Sequence, residues 1–214
     1  CAYTVDETEQ VVITQFGRVV GDPVISPGLK FKLPFIQQAI VFPKNLLTWD
    51  GDPGQIPTKD KTYIWVDTFA RWKIKDPVNF FQAVTTEYNA LERLDDIIDP
   101  AVRNLIGTYP LVELVRNSDR QLDTFLTEDD EDKTRVQYTI ELGRDEITKK
   151  VLAQAKDKLA PFGIELVDVK IKRINYVENV RQAVYGRMIA ERNQIAAKYR
   201  AEGQGEASNI RGEK

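Results

Sequence analysis

The sequence predicts an α+β fold that ends in one long helix, and three observations carry the prediction. The first third holds short β-branched runs broken by Gly and Pro. Two stretches of helical spacing follow, each adjoining a long strand-like segment. From about Val177 onward the chain reads as a single charged helix.

Residues 11–16, Val11-Val12-Ile13-Thr14-Gln15-Phe16, read as a strand stopped by Gly17. Gly21-Asp22-Pro23 and Ser26-Pro27-Gly28 read as turns, since Pro presets φ and Gly tolerates positive φ. Leu29-Lys30-Phe31-Lys32-Leu33 alternates, which puts two lysines on one strand face and the apolar residues on the other. A third strand is expected over 39–42. Residues 62–74 form the longest strand candidate, with Ile64, Val66, Ala70, Trp72 and Ile74 on its apolar face. Asp76-Pro77 begins the first helical region as cap and first residue. Its spacing runs through Tyr88, Leu91, Leu94, Ile98, Val102 and Leu105 to a turn at Tyr109-Pro110. Pro100 predicts a kink there, or a fresh start capped by Asp99.

The five acidic residues at 128–132 read as a solvated loop, lacking the ligand spacing of a calcium loop. A helix over 144–159 buries Ile147, Val151, Ala155 and Leu159, and Pro161 and Gly163 stop it. The strand over 164–174 slips phase where Leu166 meets Val167, as a bulge would produce. In the terminal helix, Val184 to Ile195, Met188 to Tyr199 and Tyr199 to Ile210 are each spaced by 11. That period favours a nearly straight or slightly right-handed array over a left-handed coiled coil. Gly186, Gly203, Gly205 and Gly212 weaken this helix, each by roughly 1 kcal/mol against Ala. A stripe so thin predicts packing against copies of itself; a frayed tail is the alternative.

Composition narrows the function classes. The chain has 214 residues, 42% of them hydrophobic and 29% charged, which suits a folded domain. A net charge of -3 provides no basic field for nucleic acid. With no histidine, His-dependent acid–base and nucleophilic catalysis is excluded, and nearly every catalytic zinc arrangement with it. Cys1 is the only cysteine, so no disulfide forms within the chain. No run of about 20 apolar residues marks a membrane span. The opening at Cys1-Ala2-Tyr3 fits a removed membrane anchor, a lipidated Cys1 or an arbitrary boundary. Ser26, Ser118 and Ser208 are the only serines, and none sits in a hydrolase motif. No catalytic residue, metal site or cofactor is expected.

Two segments resemble the SPFH family (stomatin, prohibitin, flotillin, HflK/C), most closely its bacterial HflC branch. One is residues 11–18 with Pro27-Gly28-Leu29-Lys30-Phe31-Lys32-Leu33-Pro34-Phe35-Ile36. The other is Gly163-Ile164-Glu165-Leu166-Val167-Asp168-Val169-Lys170-Ile171, continued by Tyr185-Gly186-Arg187-Met188-Ile189-Ala190-Glu191-Arg192. Asp67-Thr68-Phe69-Ala70-Arg71-Trp72-Lys73-Ile74 is a third point of similarity. The chain departs from the family at Tyr176-Val177-Glu178, where a Pro is usual, and around 122–135.

The resemblance implies a strand-rich membrane-proximal subdomain over 1–60, a second α+β subdomain over 61–175 and the start of an oligomerisation helix over 176–214. It implies an N-terminal anchor in a bacterial inner membrane, with the bulk on the extracytoplasmic side. It further implies a ring or cage built from copies of the chain and a sister HflK-like subunit, regulating an FtsH-type ATP-dependent membrane protease. Membrane lipid is an implied partner; nucleic acid is not. Leu33, Phe35 and Ile36 are then expected to dip into the outer leaflet, or else to cap the core of the first subdomain. Lys30 and Lys32 meet anionic headgroups or form a solvated strand face. Val184, Met188, Ile195, Tyr199 and Ile210 are the expected oligomer contacts. A monomeric lipid-binding module is the alternative function.

Overall fold

The computed structural model describes residues 2–117 and 140–212. Ser118, the acidic run at 128–132 and the connection around 122–135 lie outside the described residues, as does Cys1. The chain forms two compact units, Cys1–Ile174 and Asn175–Lys214.

The first unit is α+β. Strand β1 (Ala2–Val5) pairs antiparallel with β4 (Gly28–Phe31), from Ala2 opposite Phe31 to Val5 opposite Gly28. Strand β2 (Glu9–Gln15) pairs with β5 (Gln37–Pro43), from Glu9 opposite Pro43 to Gln15 opposite Gln37. On its other side β2 turns back into the short β3 (Arg18–Val19). The larger sheet is built on β8 (Tyr63–Ile74), flanked by β6 (Leu47–Asp50), β7 (Gly54–Pro57) and β9 (Ile164–Tyr176). Every even position of β8 from Ile64 to Ile74 is buried, with Thr68 joining the expected apolar residues.

Helices cover that buried face. Asp76 caps α1 (Pro77–Ala83), its Oδ1 accepting from the Val78 and Asn79 amides at 3.0 and 3.1 Å. Helix α2 (Glu87–Thr108) packs beside α4 (Gly143–Leu159), and the short α3 (Leu111–Val115) lies against α4. Ile147, Val151, Ala155 and Leu159 are buried, as their spacing predicts. The core runs from Trp49, Trp72 and Phe80 through Leu94 and Ile98 to Leu166. Buried Gln10 ties the smaller sheet to the larger one, its amide donating to the Pro43 and Ile74 carbonyls at 3.2 and 2.9 Å.

Three expectations are corrected. Of the two outcomes expected at Pro100, a kink or a fresh start, the fresh start is excluded: α2 runs through Pro100 with no new start at Asp99. Asp96 and Pro100 both face solvent, so water can satisfy the carbonyl that the missing proline N–H leaves open. Tyr88 and Leu91 are exposed, and Ala90, Leu94, Ile98, Ala101 and Leu105 form the buried stripe. In β9 the phase does slip, but Val167 is the residue turned outward: Ile164 and Leu166 are buried before it, Val169 and Ile171 after it.

In the second unit, α5 (Glu178–Gly212) is one continuous helix. Ion pairs Glu178–Arg181 and Lys198–Glu202 staple its exposed face.

Candidate functional site

The strand registers bring two turns to the same end of the smaller sheets. Gln15 opposite Gln37 is the last pair of the β2–β5 ladder, so the Phe16-Gly17 turn and the 34–36 turn both lie just beyond it. β4 delivers its Phe31 end to that place, because the chain reaches Gln37 within a few residues. Ala2 pairs with Phe31, so the start of β1 lies there too.

This edge is apolar and exposed. Phe35 is fully exposed at 105% and Phe16 at 83%, with Leu29, Phe31, Leu33 and Ile36 also exposed. The expected amphipathic polarity of β4 is thus reversed toward solvent: Lys30 and Lys32 are half-buried, while Leu29, Phe31 and Leu33 face outward. Leu33, Phe35 and Ile36 therefore do not cap the core. The tip is braced from within. The Gln37 amide donates to the Leu33 carbonyl at 3.2 Å, and the Leu33 amide donates to Gln37 Oε1 at 2.9 Å. Phe16 and Phe35 both hold left-handed backbone, at φ 49 and 67. Side chains with a Cβ crowd the following carbonyl there, so two bulky aromatics in that region are unusual.

Charge is distributed unevenly about this edge. Arg18 is exposed directly after the Phe16-Gly17 turn, and Lys30 donates to Ser26 Oγ at 2.9 Å. Asp6, Glu7 and Glu9 lie at the opposite end of both ladders, where Val5 meets Gly28 and Glu9 meets Pro43. The Ser26–Lys30 contact brings a serine and a lysine together, but at the surface, without the dry pocket a Ser–Lys nucleophile needs. Ser208 donates to the Gln204 carbonyl within α5. Among the described residues no cluster of potential metal ligands occurs, and no helix is long and apolar enough to cross a membrane.

The outer face of the larger sheet carries a ladder of ion pairs. Arg71 grips Asp168 with its hydrogen bonds and charge, holding that carboxyl below its usual range. Lys73, bonded to Glu165 at 3.2 Å, does the same for Glu165, with Lys75 adding its charge. Lys172 bridges Asp50 and Asp67 at 3.0 and 3.8 Å. These charges satisfy one another and join β8 to β6 and β9.

On α5, Tyr199 and Ile210 are exposed and Ile195 is half-buried. The side chains of Val184 and Met188 lie outside the described residues. Tyr185 and Ile189, absent from the expected contact set, are also exposed.

Phe16, Leu29 and Phe31 were not anticipated at the apolar edge. Phe16 reads as the end of a strand because it follows five strand-forming residues. The signal that identifies it is the pair Phe16-Gly17, which stands where a two-residue hairpin turn usually has Asn-Gly.

The profile described as "SPFH domain / Band 7 family" matches residues 3–205. Protein HflC of Borreliella burgdorferi is 38% identical over 215 residues, covering 98% of this chain and 66% of that protein. Protein HflC of Treponema pallidum is 36% identical over 214 residues, covering 95% of this chain and 64% of that protein. "Modulator of FtsH protease HflC" of Escherichia coli is 29% identical over 236 residues, covering 98% of this chain and 69% of that protein. The chain thus spans about two thirds of the length of these relatives. With the profile covering both units, the chain belongs to the SPFH domain / Band 7 family.

Proposed function

We propose that this chain is the globular part of an HflC-like, membrane-anchored scaffold that regulates an FtsH-type membrane protease. Strands β1–β5 form the membrane-proximal part, the larger sheet of β6–β9 with its helices forms the second, and 176–214 is the start of the assembly helix. The braced, fully exposed tip at Phe35 is the observation that carries the reading. Leu33, Phe35 and Ile36 enter the outer leaflet, where each side chain gains by leaving water. Lys30 and Lys32 approach anionic headgroups, each worth on the order of 1 kcal/mol. An N-terminal anchor in a bacterial inner membrane fits the start of β1, which lies at the same edge.

The mechanism is steric, and the chain itself performs no chemistry. Copies of the chain and an HflK-like sister subunit pack laterally, with Val184, Met188, Ile195, Tyr199 and Ile210 in the helix contacts. The ring or cage they form walls off a membrane patch, and the protease inside meets fewer substrates. The name of the Escherichia coli relative supports this partner. A monomeric lipid-binding module would use the same apolar edge, but would leave the apolar residues of α5 without a role. The deciding experiment is size analysis of the full-length protein in detergent, followed by negative-stain imaging. A very large complex with ring or cage outlines is expected; a clean monomer or dimer would reject the scaffold.

A further inference from the structure

We propose that Phe16 is a second membrane-inserting residue, on a hairpin of its own, and that its turn holds a strained backbone in order to aim the ring out of the fold. This rests on reading the 33–36 tip as a membrane contact. Residues 16 and 17 form the two-residue loop between β2 and β3, with φ positive at both. That is the geometry in which Asn-Gly is favoured, and Gly17 fits it. Phe16 does not: its Cβ is crowded, and at 83% exposure the ring recovers little by packing within the fold. A residue that weakens its own turn and contributes so little to the core is explained by something outside the chain.

The occupant is a bilayer surface with anionic headgroups. Phe16 and Phe35 stand on two separate turns at one end of the sheet, each projecting, with exposures of 83% and 105%. A fluid apolar medium accommodates such projections. The flanking charge matches: Arg18 follows the turn, Lys30 and Lys32 lie on β4 and just after it, and the acidic Asp6, Glu7 and Glu9 are at the far end of the ladders. Asp22 is the acidic exception on the connection after β3.

The test pairs thermal melting with flotation of the 214-residue chain on vesicles of phosphatidylethanolamine and phosphatidylglycerol. Phe16→Asn relieves the strained turn, so its Tm should equal or exceed that of the unmodified chain. Its vesicle partition should fall about tenfold, the loss expected for one aromatic side chain. Phe16→Leu should retain most of the binding. Phe35→Asn reports on the tip alone. Loss of flotation with Phe35→Asn but not with Phe16→Asn overturns this inference and leaves the membrane reading standing. Failure of the unmodified chain to float overturns both. A Tm several degrees lower for Phe16→Asn would place the ring inside the fold and also reject the proposal. Normal flotation of Phe16→Asn with loss of the full-length assembly would assign Phe16 to a protein contact instead.

Discussion

Gly163 sits at φ +71 between α4 and β9, where a Cβ would come 2.2 Å from the Asp76 carbonyl oxygen and 2.7 Å from the Phe80 amide nitrogen. Its own carbonyl accepts from the Lys75 and Asp76 amides at 2.9 and 3.1 Å. Gly163→Ala is therefore expected to destabilise the fold by at least about 2 kcal/mol, read as a shift in urea midpoint. Glu113 plays a comparable part for α4. Its buried carboxylate accepts from the Glu141, Leu142 and Gly143 amides at 2.6, 3.1 and 2.7 Å. Burial opposes ionisation of this group, but the three amide donors outweigh it, so its pKa lies below the ordinary 4.5. The folded state thus favours the charged form. The resulting stabilisation is complete above about pH 4.5 and is lost as pH falls through the lower folded value. Glu113→Gln should cost about 1–3 kcal/mol at neutral pH, because an amide turns a donor toward backbone donors. It should also flatten the acid limb of a stability–pH curve; an unchanged limb would remove Glu113 from this role.

At the scale of elements, α2 carries the clearest conflict between local rule and outcome. Pro100 costs roughly 3 kcal/mol in an isolated helix, yet the helix continues because Ile98, Ala101 and Val102 are locked in the core on either side. Pro100→Ala should raise stability by about 1–3 kcal/mol, since nothing in the buried stripe depends on the ring. An unchanged or lower melting temperature would mean that the ring is itself packed. On α5, a Cβ at Gly203 or Gly205 meets no atom within 4 Å. Gly205→Ala should therefore raise helicity of the isolated chain by circular dichroism. If neighbouring helices use the small positions in an assembly, the same variant should weaken the full-length complex.

Across the whole molecule, two sets of exposed apolar side chains concern the proposed scaffold, the edge around Phe16 and Phe35 and the side of α5; others, such as Tyr63, Trp65, Tyr88 and Leu91, lie elsewhere in the first unit. The proposed scaffold assigns lipid to the first and neighbouring copies to the second. Replacing Tyr199 and Ile210 together by Glu should shift the full-length protein in detergent from a very large complex to small species. The melting temperature of the Cys1–Ile174 unit should not move, because these residues belong to the other unit. Coincident loss of both would show that the substitutions act through folding rather than assembly.

The periodic signals sufficed for β2, β8, α4 and β9, but not for β1, β6, β7 and α3, each five residues or fewer, nor for the break between α1 and α2. Alternation on β8, the four-residue stripe of α4, the Asp76-Pro77 cap and the slip in β9 depend on neighbours in sequence, so they could be read without coordinates. The α+β class and the family followed from such local text. Tertiary structure decided what local text cannot hold: the direction in which a face points, and whether a breaker breaks. The alternation in β4 separates lysines from apolar residues, but only pairing with β1 and the β2–β5 register leave the apolar set in solvent. Pro100 ends a helix in isolation, and packing across 22 residues of α2 carries the helix through it. Phe16 became part of a site only when register placed its turn beside the Phe35 tip, 19 positions away in sequence. Such facts arise from contacts between distant segments, and the sum of those contacts outweighs local preference.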